Sequence, residues 1–306
     1  MKVLCAIDGS AGSDSVVDLL GDLLSPDRDS VVFYYSPPKV SVHGSSVPSQ
    51  EVLGLAEEAV ADKVVDRARK FLPDRIAASA TAVIGSQKPR LGIPAAAKLH
   101  RPGMIGVGAR GASRFGLPRL GSVSRAVVHA ADVPVLVARP RQRATTEPLH
   151  LLHCCDQTAA SASSASFLSK LTFPEGSVGR VVHVTESPFR HGIPEWLAAE
   201  AHAAEADPLA REFIESQEAE TERWRQRLAE HCGDLPAAFH FSEPVVLEGY
   251  PGERIAMYAE SQKVDLIVVG AHAATALGRL LTGSTSDYLL SHASCSVLVI
   301  PQHDSP

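Results

Sequence analysis

Short apolar runs recur along the chain with almost no polar residue inside them. The first half holds KVLCAI, SVVFYY, ATAVI, MIGVG and PVLVA. Runs of this length without polar alternation predict strands covered on both faces. Between them the pattern changes to helical spacing. Ser13–Leu24 predicts a helix, and so does Val52–Leu72, where charges separate the apolar positions. Ile93–His100 and Ser122–Ala130 predict shorter helices. Alternating strands and helices imply a parallel, doubly wound α/β sheet.

The pattern occurs twice. KVLCAIDGSAGSDS opens the chain, and LLHCCDQTAASASS opens at Leu151. In both, a strand ends in aspartate (Asp8, Asp156) and a turn of small residues leads into a helix. The first half closes on MIGVGARGASRFGLPRLGSVSRAVVHAADVPVLVARP, the second on LIVVGAHAATALGRLLTGSTSDYLLSHASCSVLVIPQ. These align without a gap, Gly108 on Gly270, Gly121 on Gly283, Ser122 on Ser284 and Ser124 on Ser286. The openings lie 148 residues apart and the closings 162, so 14 residues are inserted, within Pro188–His231. That region contains AREFIESQEAETERWRQRLAEH, an amphipathic helix expected to cover the sheet with Phe213, Ile214, Trp224 and Leu228. The polar, proline-bounded stretch Pro140–Pro148 reads as a linker between domains 1–140 and 149–306. The apolar last strands of the halves are expected to pair, as an intrachain pseudo-dimer or in a homodimer, because an uncovered edge invites aggregation.

Composition narrows the class. The 306 residues suit two domains, and 45% of them are hydrophobic. A net charge of −6 does not suit a nucleic-acid footprint. No apolar run reaches the roughly 18 residues of a membrane span, and the short apolar N-terminus lacks the form of a signal peptide. A cytoplasmic protein without a membrane partner is expected. The cysteines, five in number, form no C-x-x-C pair and read as buried thiols.

The chemistry gathers where strands one and four end. In a doubly wound sheet, ligands bind beyond the carboxyl ends of the strands where the strand order reverses. Asp8 ends the first strand and Gly108 the fourth. Gly108 and Gly111 allow tight turning and close approach. Gly121-Ser122-Val123-Ser124 then begins a helix, whose free N–H groups and partial positive charge suit phosphate. Asp8 suits ribose hydroxyls or a base edge. A nucleotide fits this arrangement.

Asp8 after the first strand, G-x-x-G-x9-G-S running into SVS, and the closing AADVPVLVARP resemble the universal stress protein family. Both halves carry the resemblance, which makes the chain similar to a tandem member. The resemblance implies ATP as cofactor, with Mg²⁺ as an optional companion, on Rossmann-like five-stranded domains of strand order 3-2-1-4-5. It implies pairing through the last strands and a regulatory stress-response role with at most slow hydrolysis. Carried over, Asp8 holds the nucleoside and the backbone near Tyr35 meets adenine. Gly108, Arg110, Gly111, Gly121, Ser122, Val123 and Ser124 surround the phosphates. In the second half Asp156, Gly270, Gly283, Ser284 and Ser286 remain, but Ala273 replaces Gly111, so weaker binding is expected there.

Three rival readings are weaker. GVGARG satisfies the dinucleotide pattern G-x-G-x-x-G but does not open a helix at once. SAGSDS, Ser10 to Ser15, resembles the pyrophosphate loop of ATP pyrophosphatases, yet Ala11 replaces its first glycine. A nucleotide-free interaction protein is the third. Arg110, Arg114, Arg119 and Arg125 crowd the first loop and could neutralise phosphate, or be solvated. No Ser-His-Asp or metal-ligand spacing is apparent, so no catalytic or metal residue is named.

Overall fold

A computed structural model describes residues 1–38, 50–111, 120–144, 147–185, 193–201, 208–271 and 283–302. One compact unit is built on Met1–Arg141, and a second begins at Gln142.

Unit 1 runs β1 (Lys2–Ile7), α1 (Ala11–Leu23), β2 (Ser30–Tyr35), α2 (Gln50–Arg69), α3 (Asp74–Ser79), β3 (Thr81–Ile84), α4 (Pro89–His100), β4 (Met104–Gly108), α5 (Ser122–Ala130) and β5 (Val135–Ala138). Its strands lie in the order β3-β2-β1-β4-β5, all parallel. Unit 2 runs β6 (His150–Cys154), α6 (Ala159–Leu168), β7 (Val178–Thr185), α7 (Glu195–Ala201), α8 (Pro208–Cys232), β8 (Val245–Glu248), α9 (Pro251–Ser261), β9 (Leu266–Ala271), α10 (Ser284–His292) and β10 (Ser296–Pro301). Its order, β10-β9-β6-β7-β8, is the same topology, again parallel throughout. The reversal falls between β1 and β4, and between β6 and β9. Leu4, Phe33, Ile105 and Leu136 anchor the first core, and Leu152, Val268, Leu298 and Phe239 the second, all at most 1% exposed. No helix among the described residues is long and apolar enough to cross a membrane.

Register locates the insertion. Ile7 pairs with Tyr35 and Cys154 with Val182, so β7 still stands 148 residues after β2, with His183 in the place of Tyr35. By β8 the offset is 162, because Tyr34 pairs with Val83 and Val182 with Val245. The added residues therefore fall between β7 and β8, the stretch that contains α7 and the 25-residue α8. Ile214 and Leu228 are buried in α8, as an amphipathic cover requires, whereas Phe213, expected on the same face, is exposed.

Helices α1 and α2 each begin two residues before the pattern reading, α2 ends three residues sooner, α3 is missing from that reading, and α4 begins four residues sooner. The six-residue α3 buries only Ile76 and has too little periodicity to announce itself. Helix α4 begins at Pro89, a turn before Ile93, because proline's fixed φ and missing N–H suit a first helical position. Arg141, after β5, reaches Asp22 on α1 at 3.1 Å with its side chain nearly buried. Arg143 reaches Glu147 at 2.7 Å and the buried Asp265 at 3.5 Å. Charge thus fastens the linker region within each unit.

The turn after each first strand needs a left-handed residue. Gly9 supplies φ +76° in unit 1, and Gln157 is held at φ +58° in unit 2. A side chain there costs about 1–2 kcal/mol. Gln157→Gly should therefore stabilise unit 2 by about 1 kcal/mol, less what glycine's looser unfolded chain takes back. Denaturant unfolding of the full chain checks this, and unchanged or lower stability would contradict the strain.

Candidate functional site

The ends of β1 and β4, with the starts of α1, α4 and α5, enclose a cleft of about 110 Å³ in unit 1. Asp8, Ser13, Tyr34, Gly108, Arg110 and Ser124 are among its walls. A wider groove of about 510 Å³ also has Asp8 on its wall and passes Tyr35, Ser36, Gln87 and Lys88. In unit 2 the corresponding cleft is about 250 Å³, with Asp156, His183, Gly270, Gly283, Ser284 and Ser286 on its walls.

The two helix starts at each cleft differ in kind. Helix α1 is closed: Ser10 caps it by accepting from the Ser13 N–H at 3.4 Å. The same serine donates its hydroxyl to Asp8 Oδ1 at 2.5 Å, and its N–H donates there at 3.0 Å. Ser13 and Ser15 donate back to the helix backbone. Unit 2 repeats this, with Thr158 capping α6 and bonding Asp156 Oδ1 at 2.6 and 3.0 Å. The carboxyl of Asp156 is desolvated, which works to raise its pKa. The Thr158 and Ser161 hydrogen bonds outweigh that and hold it below the usual carboxylate value.

Helices α5 and α10 are open. Each starts from an extended glycine, Gly121 or Gly283, and no side chain among the described residues caps it. Their first N–H groups have no intrahelical acceptor, and the helix dipole adds positive charge there. Ser122 and Ser284 are exposed at these starts. Asp8 and Asp156 are exposed too, at the ends of their strands. An acceptor wall and an anion-ready helix start thus recur in both units, and they fit the sugar and phosphate of a nucleotide.

Several expected residues turn out to hold the frame. The Ser124 hydroxyl is buried and donates to the Gly108 carbonyl at 2.7 Å, so its backbone N–H is what it can offer an anion. Ser286 donates to the Gly283 carbonyl at 3.1 Å. The Gly121 N–H is bonded to the Ala109 carbonyl at 2.8 Å. A Cβ on Gly108 would lie 2.6 Å from the Gly12 carbonyl oxygen, and one on Gly12 would collide with the Arg110 carbonyl. The glycine requirement at Gly108 thus arises from strand–helix contact. The same holds at Gly270, whose Cβ would meet the Ala160 backbone at 2.5 Å. A Cβ on Gly111 would strike the Asp8 carboxylate. Its counterpart Ala273 lies outside the described residues, as do His272, Arg114 and Arg119.

Tyr35 is buried, and its carbonyl accepts the Gly85 N–H at 2.7 Å. Burial first, and the Asp8 and Glu57 charges next, raise its phenol pKa. Sequence reasoning missed Tyr34, whose hydroxyl occupies the space left by Gly85 and Gly92. It also missed His183. That ring stacks on Trp224 of α8 at 3.5 Å between centroids, and its Nδ1 lies 2.8 Å from the Cys155 carbonyl. Carrying the 148-residue offset through β7 would have found it. All five cysteines are buried thiols, and no group of three metal-ligating side chains occurs among the described residues.

This geometry defines a tandem of doubly wound domains, each with one open helix start facing a strand-end aspartate. The model of the universal stress protein family matches residues 1–139 and again 141–301, and the chain belongs to that family. It is 30% identical over 95 residues to the universal stress protein Sll1388 of Synechocystis, a match covering 31% of this chain and 59% of the relative. It is 44% identical over 55 residues to the universal stress protein MJ0531 of Methanocaldococcus jannaschii, covering 18% and 32%. The chain thus spans less than two thirds of the length of these curated relatives. The crystal structure of a universal stress protein from Archaeoglobus fulgidus shares the fold at TM-score 0.61 and 18% identity. That likeness covers 99% of this chain and 98% of that one.

If Gly108 is required by its contact with α1, Gly108→Ala should destabilise unit 1 by about 1–3 kcal/mol with no ligand present, the usual cost of overpacking. Unfolding of the nucleotide-free chain measures it. Unchanged stability would return the glycine to a purely ligand-facing role.

Proposed function

We propose that the clefts bind an adenine nucleotide, ATP or ADP, and that the protein is a nucleotide-responsive regulator or scaffold in stress response. The observation that carries this is the open start of α5 opposite Asp8, recurring as α10 opposite Asp156. Asp8 would accept from the ribose or base, and the groove past Tyr35 and Ser36 would take the adenine. The N–H groups of Ser122, Val123 and Ser124, with the Ser122 hydroxyl and the Arg110 and Gly111 loop, would hold the phosphates. Mg²⁺ would travel with the nucleotide, since the described residues offer no cluster to hold it alone. Asp156, Gly270, Gly283, Ser284 and Ser286 would form the second site, proposed as the weaker because Ala273 replaces Gly111. The domains carrying the two sites are proposed as residues 1–140 and 149–306. Slow hydrolysis at most is expected. A cytoplasmic setting fits the buried thiols.

The pyrophosphatase-like reading of Ser10–Ser15 is disfavoured by hydrogen bonding. Ser10, Ser13 and Ser15 all donate within the chain, and Ala11 stands where the loop needs its first glycine.

Ser122→Asp tests the assignment. An acidic residue in the first turn favours the helix, so stability should hold or rise slightly. The same charge repels phosphate, and ATP affinity should fall at least tenfold in calorimetry on the full chain. Ser284→Asp should do the same for any second class of sites. ATP binding unchanged by both substitutions would overturn the phosphate assignment. No binding by the parent protein would favour a nucleotide-free interaction protein.

A further inference from the structure

Helix α8 meets the sheet of unit 2 through imidazoles. His153, next to the last residue of β6, is fully buried. Its ring centroid lies 5.6 Å from that of His231 on α8, and the edge of Phe239 closes a third side at 6.4 Å. His153 Nε2 lies 2.8 Å from the Ser164 hydroxyl, which itself donates to the Ser161 carbonyl at 2.8 Å. That hydroxyl has one proton, so Nε2 must be the donor and Nδ1 the bare nitrogen. Among the described residues Nδ1 is buried with no hydrogen-bond partner, and so is Nε2 of His231. One turn-pair earlier on the same helix, Trp224 stacks on His183.

Unit 1 has none of this chemistry at the matching positions. Cys5 stands where His153 does, Val16 where Ser164 does, and Tyr35 where His183 does. We propose that the His153–His231 contact is an acid-sensitive clasp, which holds α8 on the sheet at neutral pH and releases it in mild acid, in unit 2 alone. His183 and Cys155 wall the second cleft, so release of α8 would loosen that cleft. Only this last consequence rests on the reading of the cleft as a nucleotide site.

The physical reason is that a second proton on His153, at Nδ1, has no acceptor among the described residues. The groups around the ring are the Ser161 backbone and the Ser164 hydroxyl on α6, His231 on α8, and Phe239. Asp156 beyond the end of β6 is exposed. Asp234 lies after α8, nearer His231. Around His183 stand the Cys155 carbonyl, Asp156, Glu220 and Trp224, with Arg227 over the indole at 5.6 Å. Cys155 and Cys232 are neutral thiols, their pKa values raised first by burial. Burial, and then the neighbouring His231, pull the His153 pKa down to about 3. Burial lowers those of His231 and His183 as well, against the pull of the nearby acids. The sign follows: each folded-state pKa lies below the exposed value near 6.5, so the open form binds more protons in acid. The clasp is complete above about pH 7 and weakens as pH falls below 6.5. Freeing His153 raises the opening equilibrium about tenfold between pH 7.5 and 5.5, and His231 and His183 act in the same direction.

Hydrogen exchange on the full chain, corrected for intrinsic rates, tests this at those two pH values. Amides of α8 should lose at least tenfold protection at pH 5.5, while those of α2 in unit 1 keep theirs. His153→Cys combined with Ser164→Val, the pair unit 1 uses, should remove the roughly tenfold share of the acid loss that His153 contributes. Should that variant misfold, His231→Leu removes the opposing imidazole and should diminish the acid loss as well. Equal protection of α8 at both pH values in the parent, or acid loss undiminished in the folded variants, would overturn the clasp. ATP titrations at both pH values run beside the exchange. Acid release of α8 without any nucleotide binding would sink the nucleotide reading and leave the clasp standing.

Discussion

Strand β4 runs so close to the first turn of α1 that neither Gly108 nor Gly12 can carry a Cβ. Much of the cleft follows from that approach. It brings the end of β4 beside the end of β1 at the reversal of strand order. It lays the backbone of Arg110 against the first turn of α1, already closed by Ser10. It leaves α5 as the helix whose start remains open to a ligand. Unit 2 makes the same approach with Gly270 against Ala160, so one small residue on the strand suffices if the helix gives slightly.

Around this shared frame the two units exchange side chains in sets. In unit 1, Tyr34 fills space left by Gly85 and Gly92. At matching positions unit 2 has the small Val182 with the larger Leu247 and Arg254. Gly252 lies under Tyr288, where unit 1 has Arg90 and Ala126. Large side chains in one unit stand where small ones stand in the other, and such coupled exchanges are what a packed interior tolerates. The same freedom let Cys5 and Val16 become His153 and Ser164. That exchange kept the volume roughly constant and added polar atoms, one of which found no partner.

How much of this was legible in the sequence depended on what kind of force set each feature. Strands buried on both faces announce themselves as unbroken apolar runs, so Met104–Gly108 and the start of α5 at Ser122 could be read to the residue. The α3 helix could not, because one buried residue, Ile76, makes no period. Asp8 and the open helix start were visible because they lie at strand and helix ends, which the topology gathers at one place. The His153–His231 contact was invisible, since 78 residues separate its partners and no local pattern links them. Trp224 and His183 were hidden for the same reason, although the internal repeat pointed at His183's position.

The glycines show where pattern and cause part. A spaced glycine motif beside a cleft reads naturally as room for a ligand. Here Gly108 and Gly121 are both tied to the chain's own backbone, one against the Gly12 carbonyl and the other bonded to that of Ala109. Gly111 keeps a Cβ away from the Asp8 carboxylate, so it leaves that acceptor reachable. Of the three, it alone bears directly on what the cleft can bind. The two demands coincide because the fold makes its closest backbone approaches at the reversal of strand order, and ligands bind at that reversal too. A glycine there serves packing first. Its value to a ligand lies in the frame that packing holds: an aspartate on one wall, and on the other a helix start that no side chain among the described residues caps.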